Sequence, residues 1–118
     1  MAVRKQQFNF EITRGRDFVQ QFTLKNKATG AVIDLSGYTI KSQIRKSRKI
    51  SSSIIKEFSI NDDDANIGIF ILSLTDTQAL DMPDSKGYYD IVFTVGGVSE
   101  TWFYGDIDIT DHPTDISA

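Results

Sequence analysis

The chain has 118 residues, of which 40% are hydrophobic and 25% charged, close to the average of a soluble globular domain. Its formal net charge of -3 offers no broad basic field for nucleic acid or an anionic membrane. The lack of cysteine excludes disulfides, thiolate nucleophiles and Cys-ligated metal sites.

Apolar and polar residues alternate with a period of two along most of the chain, which is typical of half-buried β-strands. Three strands are predicted in the first part, separated by turns over residues 14–17 and 27–30 and a short extended piece over 32–35. Their predicted inward-facing residues are Phe8, Phe10, Ile12, Phe18, Phe22, Leu24, Tyr38, Ile40, Ser42 and Ile44.

A fourth strand is predicted over residues 54–60, with Phe58 and Ile60 inward, and a fifth over residues 67–74. The fifth strand is nearly continuous in apolar residues, which indicates burial on both faces or an intermolecular contact on one of them. Burial on both faces is the preferred interpretation.

Thr75 and Gln78 have the spacing of a capping box, which predicts one helical turn near residues 76–80 crossing between the sheets. The clearest strand follows over residues 89–95, where Tyr89, Ile91, Phe93 and Val95 alternate with the other residues and are predicted to face inward. Gly96 with Gly97 indicates a two-residue hairpin turn. In the return strand Gly105 is a predicted bulge.

About seven strands result, with turn signals every 8–12 residues or so. The predicted fold is therefore all-β, an immunoglobulin-like antiparallel β-sandwich with one short helical turn. One domain spanning residues 1–118 is expected, with its core over about 6–110 and a polar tail over 111–118. No signal peptide or membrane span is expected, and the protein is predicted to be soluble and cytoplasmic.

Several strings in the sequence resemble the N-terminal domain of phage baseplate upper proteins. The first string is Phe8-x-Phe10 followed by a glycine turn and Phe18. The others are residues 33–38 (IDLSGY), 72–78 (LSLTDTQ), 87–91 (GYYDI) and 104–109 (YGDIDI). Related small domains occur as collar, tail and head-associated proteins of tailed bacteriophages. The resemblance implies a role in assembly rather than a set of catalytic residues.

The sequence contains parts of two functional motifs, a calcium-binding loop and a nucleophile elbow, but neither motif is complete. Asp62, Asp64 and Asn66 have the spacing of calcium ligands, but Ile67 stands where the motif needs glycine and Ser73 where it needs an acid. Residues 97–101 lack the closing glycine of a nucleophile elbow. The sequence predicts no catalytic residue, no metal site and no cofactor.

Two further carboxylates and the single histidine are candidate acid/base residues. Asp106 and Asp108 share a strand face, which favours an exposed polar surface over an acid/base pair. His112 is the only histidine and lies in the polar tail, so it is not expected to act in a triad.

A basic loop is predicted between Asp34 and Glu57, where no acidic residue occurs. Its central cations are Arg45, Lys46, Arg48 and Lys49, interspersed with serines. A mobile, solvated hairpin end is one interpretation. Docking onto an acidic neighbour is another, and the acidic turn of an adjacent copy over residues 62–64 is one such neighbour. Nucleic-acid binding is disfavoured, since the loop lacks interleaved aromatic residues.

Trp102 and Tyr104 lie on the strand parity opposite the predicted core. Three interpretations are open: core residues whose parity a bulge inverts, anchors of a protein interface, and a sugar-stacking platform.

Together these features predict a non-enzymatic structural protein of a tailed-phage virion, at the collar, tail, baseplate or head. Its predicted partner-binding residues are Arg45, Lys46, Arg48, Lys49, Trp102 and Tyr104. The expected partners are other virion proteins or further copies in a ring or lattice, assembled in the host bacterial cytoplasm, with no membrane or nucleic acid involved. The alternative is an adhesion or carbohydrate-binding module.

Overall fold

A computed structural model describes residues 6–26, 28–83 and 86–111. Along these residues the elements are β1 (Gln6–Gln7), β2 (Phe10–Thr13), β3 (Phe18–Thr23), β4 (Thr39–Arg45), β5 (Ile54–Glu57), β6 (Ser59–Asn61), a 3-10 turn (Ala65–Ile67), β7 (Ile69–Leu74), α1 (Asp76–Leu80), β8 (Lys86–Val95) and β9 (Val98–Thr110).

The strands form two sheets. The larger has the order β1-β9-β8-β4-β5, with β2 also paired to β9, and the smaller has the order β3-β7-β6. β1 and β2 run parallel to β9, whereas the other pairs are antiparallel. The predicted all-β sandwich is confirmed.

The strand count differs from the prediction because one predicted strand divides and one short strand was not predicted. Residues 54–60 form β5 in the larger sheet and β6 in the smaller one, and the chain changes sheets at the buried Phe58, whose N–H donates to Ser42 O at 3.0 Å. The first predicted strand, which was expected to begin at Phe8, is β2, and the two-residue strand β1 precedes it and was not predicted.

Gly105 allows a close backbone approach and is not a bulge. A Cβ at Gly105 would overlap the carbonyl oxygen of Phe8. That oxygen accepts a hydrogen bond from the Tyr89 hydroxyl at 2.7 Å, and Phe8 N–H donates to Tyr104 O at 3.0 Å. Residue 105 must therefore be glycine for the first strands to pack on β9.

The core lies between the sheets and follows most of the predicted alternation, although Phe8, predicted to face inward, is 42% exposed. Phe22 and Phe70 stack with ring centroids 4.9 Å apart, and Phe70 meets Phe93 edge-on at 5.5 Å. The other large residues at 0% exposure include Ile12, Leu35, Ile44, Leu72, Ile91 and Ile107. Rings from both sheets therefore hold the sandwich together.

β7 was preferentially interpreted as buried on both faces, and this interpretation is wrong. Phe70, Leu72 and Leu74 are buried, whereas Ile69 and Ile71 are only half-buried on the outer face of the smaller sheet. The described residues place no further layer over that face.

The two predicted connections are confirmed. Thr75 Oγ1 accepts from Gln78 N–H while Gln78 Oε1 accepts from Thr75 N–H, so the capping box begins α1 and the chain crosses from β7 to β8. Gly96 and Gly97, with φ of 58° and 79°, close the β8–β9 hairpin. Within the described ranges no helix is long and apolar enough to cross a membrane.

Candidate functional site

Two rows of side chains cross the outer face of the larger sheet. Directly opposite residues of antiparallel strands share a face. Pairing places Arg45, Tyr88 and Asp106 in one row across β4, β8 and β9. The neighbouring row contains Gln43, Asp90 and Tyr104.

The basic loop folds over the first row. Arg48 Nη2 donates to Asp106 Oδ1 at 2.9 Å, and its guanidinium carbon lies 5.3 Å from the centroid of the Tyr88 ring. The hydrogen bond and the charge of Asp106 raise the pKa of Arg48 above its ordinary value. Arg48 therefore joins the loop to β9 with a charge-assisted hydrogen bond and to β8 with a cation–π contact.

Hydrogen bonds within the loop give it a defined shape. Ser52 Oγ donates to Lys49 O at 2.7 Å, and Lys46 N–H donates to Ser53 O at 3.1 Å. Arg45 Nη1 donates to Ser52 O at 2.6 Å and its Nη2 to Gln43 Oε1 at 3.1 Å. The predicted mobile loop is thus an internally bonded hairpin end.

The four predicted cations consequently divide into two pairs. Arg45 and Arg48 are engaged within the chain, whereas Lys46 and Lys49 are exposed on the loop. Ile50 at the loop tip is 86% exposed. The loop therefore presents two ammonium groups, part of the Arg48 side chain and one apolar side chain to solvent.

A groove lies between the loop and the sheet. Its volume is about 550 Å³, and it is lined by Gln43, Arg45, Ser47, Arg48, Ile50, Tyr88, Tyr89, Asp90, Val92, Thr101, Tyr104 and Gly105. The positively charged Arg45 and Arg48 and the negatively charged Asp90 line this groove. They lie beside the half-buried rings of Tyr88 and Tyr104. Such a surface suits a polar partner that also offers planar or apolar groups.

Trp102 does not belong to this surface, and the interpretation that its side chain is exposed is wrong. The register shifts between Ile91, opposite Phe103, and Val92, opposite Thr101, which leaves Trp102 as an extra residue. Trp102 and Phe103 consequently both point inward, at 5% exposure each. A bulge inverts the parity, as one interpretation held, but it lies at Trp102 and not at Gly105.

Tyr104 lies beyond the bulge and remains on the outer face. Sequence reasoning missed its neighbour Tyr88, which contacts Arg48. The signal was present in the alternation of β8, because Tyr88 has the parity opposite to the predicted inward residues Tyr89 and Phe93.

The remaining polar clusters have structural partners. Lys86 Nζ lies 4.0 Å from Asp106 and 3.9 Å from Asp108. Asp62 and Asp64 lie in the turn leading to Ala65–Ile67, where Ala65 N–H donates to Asp62 O. No three His, Asp or Glu side chains of the described residues are grouped as a metal site would require. His112 lies outside the described residues.

Comparisons with known proteins do not assign the chain to a family. No family model matches it, and no curated protein matches it significantly. Among solved structures, the N-terminal domain of phage TP901-1 ORF48 is similar with a TM-score of 0.44 and 11% identity, covering 87% of this chain and 85% of that chain.

Proposed function

We propose that this protein is a non-enzymatic structural component of a tailed-phage virion, at the collar, tail, baseplate or head, and that it docks to other virion proteins. The sequence resemblance to phage baseplate upper proteins supports the class of role. The shape and charge of the groove support the mode of action, which is binding of another protein.

The basic loop carries this proposal. Its backbone is held over the sheet by the contact of Arg48 with Asp106, so Lys46, Lys49 and Ile50 are presented from a preformed support. Preformed surfaces lose less conformational entropy on binding. The exposed lysines attract an acidic partner at a distance, and the groove beside Tyr104 receives its polar and apolar groups.

Incorporation into particles tests the proposal. The chain should be found by mass spectrometry in purified particles of the phage that encodes it. Replacing Lys46 and Lys49 with Gln should reduce incorporation while circular dichroism shows a retained fold, because exposed charges contribute little to stability.

A matched control separates local docking from total charge. The variant Lys41→Gln/Lys56→Gln removes the same charge from β4 and β5, which flank the loop tip, where the two lysines pair with Glu57 and Asp81. Wild-type incorporation should weaken with added salt, and the loop variant should respond less. Absence of the chain from particles, or equal losses in both variants, would count against the proposal.

Carbohydrate binding is a second candidate function, favoured by Tyr88 and Tyr104 beside Asp90 in the groove. Aromatic rings next to carboxylates suit sugar rings, which offer apolar faces and hydroxyl groups. The isolated protein would then bind glycans on an array, and Tyr104→Ala would abolish that binding. A docking protein would bind particle proteins and leave the array empty.

A further inference from the structure

β3 is an open edge of the smaller sheet without the usual protection against strand pairing. It pairs with β7 over its whole length, Phe18–Thr23, in continuous register, and it contains no charged residue and no proline. Natural edge strands are commonly blunted by charge, proline, bulges or short length.

The other edge strands in the described part of the chain have such features. β6 has three residues and leads into the acidic residues 62–64. β5 has four residues, carries Lys56 and Glu57, and lies beside a register shift. β1 has two residues and β2 contains Glu11. β3 is therefore the edge most open to an added strand.

Hydrogen bonding shows which main-chain groups face the open edge. Leu24 N–H donates to Gly68 O at 2.8 Å, so the main chain of Leu24 points toward the β7 side. Main-chain groups alternate in direction along a strand. Those of Val19, Gln21 and Thr23 therefore point away from β7, and the Gln21 carbonyl accepts from the Gln20 side chain at 3.0 Å, which leaves its second lone pair for a partner strand.

The side chains of these three residues lie on an uncharged outer face. Val19 is 66% exposed, and Gln21 and Thr23 are also exposed. Across from them on β7 lie the half-buried Ile69 and Ile71, which the described residues leave uncovered. An apolar patch thus adjoins the open edge.

The sequence around β3 is complementary to itself in one antiparallel register. If two copies pair about a twofold axis at Gln21, Val19 of each lies opposite Thr23 of the other, and each such pair exchanges main-chain hydrogen bonds. The same register sets Asp17 opposite Lys25 at both ends. Both are exposed, and Asp17 Oδ1 accepts from Asp76 N–H, just beyond the end of β7, at 2.7 Å.

We propose that two copies of this chain dimerise by antiparallel pairing of β3 with β3, centred on Gln21. The smaller sheets of the two copies then form one continuous sheet. Main-chain hydrogen bonds supply affinity, and the opposite charges of Asp17 and Lys25 select the register. This surface lies on the sheet that does not carry the groove, so it leaves the groove open for another partner.

Sedimentation velocity of the full chain over a concentration series tests the dimer. The wild type should form a concentration-dependent dimer. Gln21→Lys places like charges at the twofold axis and should weaken dimerisation by about tenfold or more. Ser59→Lys adds the same charge to the other edge of this sheet and should leave dimerisation unchanged, with circular dichroism confirming both folds.

Cross-linking tests the register, since the chain has no cysteine of its own. The proposed axis brings the two residue-21 Cα atoms to about 5.5 Å. Gln21→Cys should therefore give covalent dimers with a short bis-maleimide, whereas Ser59→Cys should not. A wild type that stays monomeric, a dimer that Gln21→Lys leaves intact, or equal cross-linking at both positions would overturn the proposal.

Discussion

The indole ring of Trp102 lies against the ring of Phe93, with centroids 4.1 Å apart and planes inclined by 18°. Phe93 is 1% exposed and also meets the rings of Tyr38, Phe70 and Phe103. Because Phe70 belongs to the smaller sheet, Phe93 links the two layers of the sandwich.

Truncating Phe93 to Ala should lower the free energy of unfolding by about 3–5 kcal/mol, since a large ring is lost and a cavity remains among rings that cannot close it. The measurement is urea denaturation. Val95→Ala is the control, because Val95 lies on the same strand but is 43% exposed, and its effect should stay within about 0.5 kcal/mol. Similar losses in the two variants would show that Phe93 does not occupy the core.

Breaking the contact of Arg48 with Asp106 should release the basic loop without unfolding the domain. Arg48 is 63% exposed and Asp106 24% exposed, so water screens the ion pair and its loss should leave the global unfolding midpoint nearly unchanged. Arg48→Gln and Asp106→Asn should each speed amide hydrogen exchange over residues 46–53, and the double variant should add little because both changes remove one interaction.

Lys86→Gln provides the control for this experiment. Lys86 lies 4.0 Å from Asp106 but does not join the loop to the sheet. Its removal should leave exchange in the loop unchanged, and loop exchange that is insensitive to Arg48→Gln would refute the role of the contact.

Burial raises the pKa of Tyr89 far above its ordinary value of 10.0. The unfolded chain therefore loses the phenolic proton near pH 10 while the folded chain keeps it. Above pH 10 the unfolded state therefore binds fewer protons than the folded state. The contribution of Tyr89 to the free energy of unfolding is complete below about pH 10 and falls as pH rises further. Chemical denaturation at a series of pH values should show this fall.

Tyr89→Phe should reduce the alkaline slope, because the titrating hydroxyl is gone. The variant also loses the hydrogen bond from Tyr89 to Phe8 O, so it should be less stable than the wild type at neutral pH. Identical slopes in the two proteins above pH 10 would rule out Tyr89 as the group responsible.

Chelation of divalent cations should leave the melting temperature unchanged. Asp62 and Asp64 lie in a turn closed by main-chain hydrogen bonds, and Ile67 occupies the position where a calcium loop needs glycine. Scanning fluorimetry with EDTA and with added calcium measures this. A drop of several degrees with EDTA would reveal a bound cation.

Alternation along single strands predicted much of the core, because burial on one face of a strand imposes a period of two on the local sequence. Phe70, Leu72 and Phe93 are buried as predicted. The capping box at Thr75 and the Gly96-Gly97 turn were predicted for the same reason, since each depends on residues within one turn of the chain.

The same local rule failed at Trp102. A single extra residue opposite β8 inverts the parity of the strand before the bulge, and nothing in residues 98–104 marks its position. A bulge is defined by the partner strand, so only the assembled sheet decides it.

The four basic residues of the loop were recognised from sequence as a candidate binding surface, but their division into two pairs was not. Arg48 meets Asp106, which lies 58 residues away along the chain, because β4, β8 and β9 are neighbours in the larger sheet. Local sequence patterns were therefore sufficient to predict the class of fold, most of its core and the presence of the basic loop. Tertiary structure decided which aromatic rings and which charges face solvent, because hydrogen-bonded pairing of distant strands sets their register and brings distant charges together.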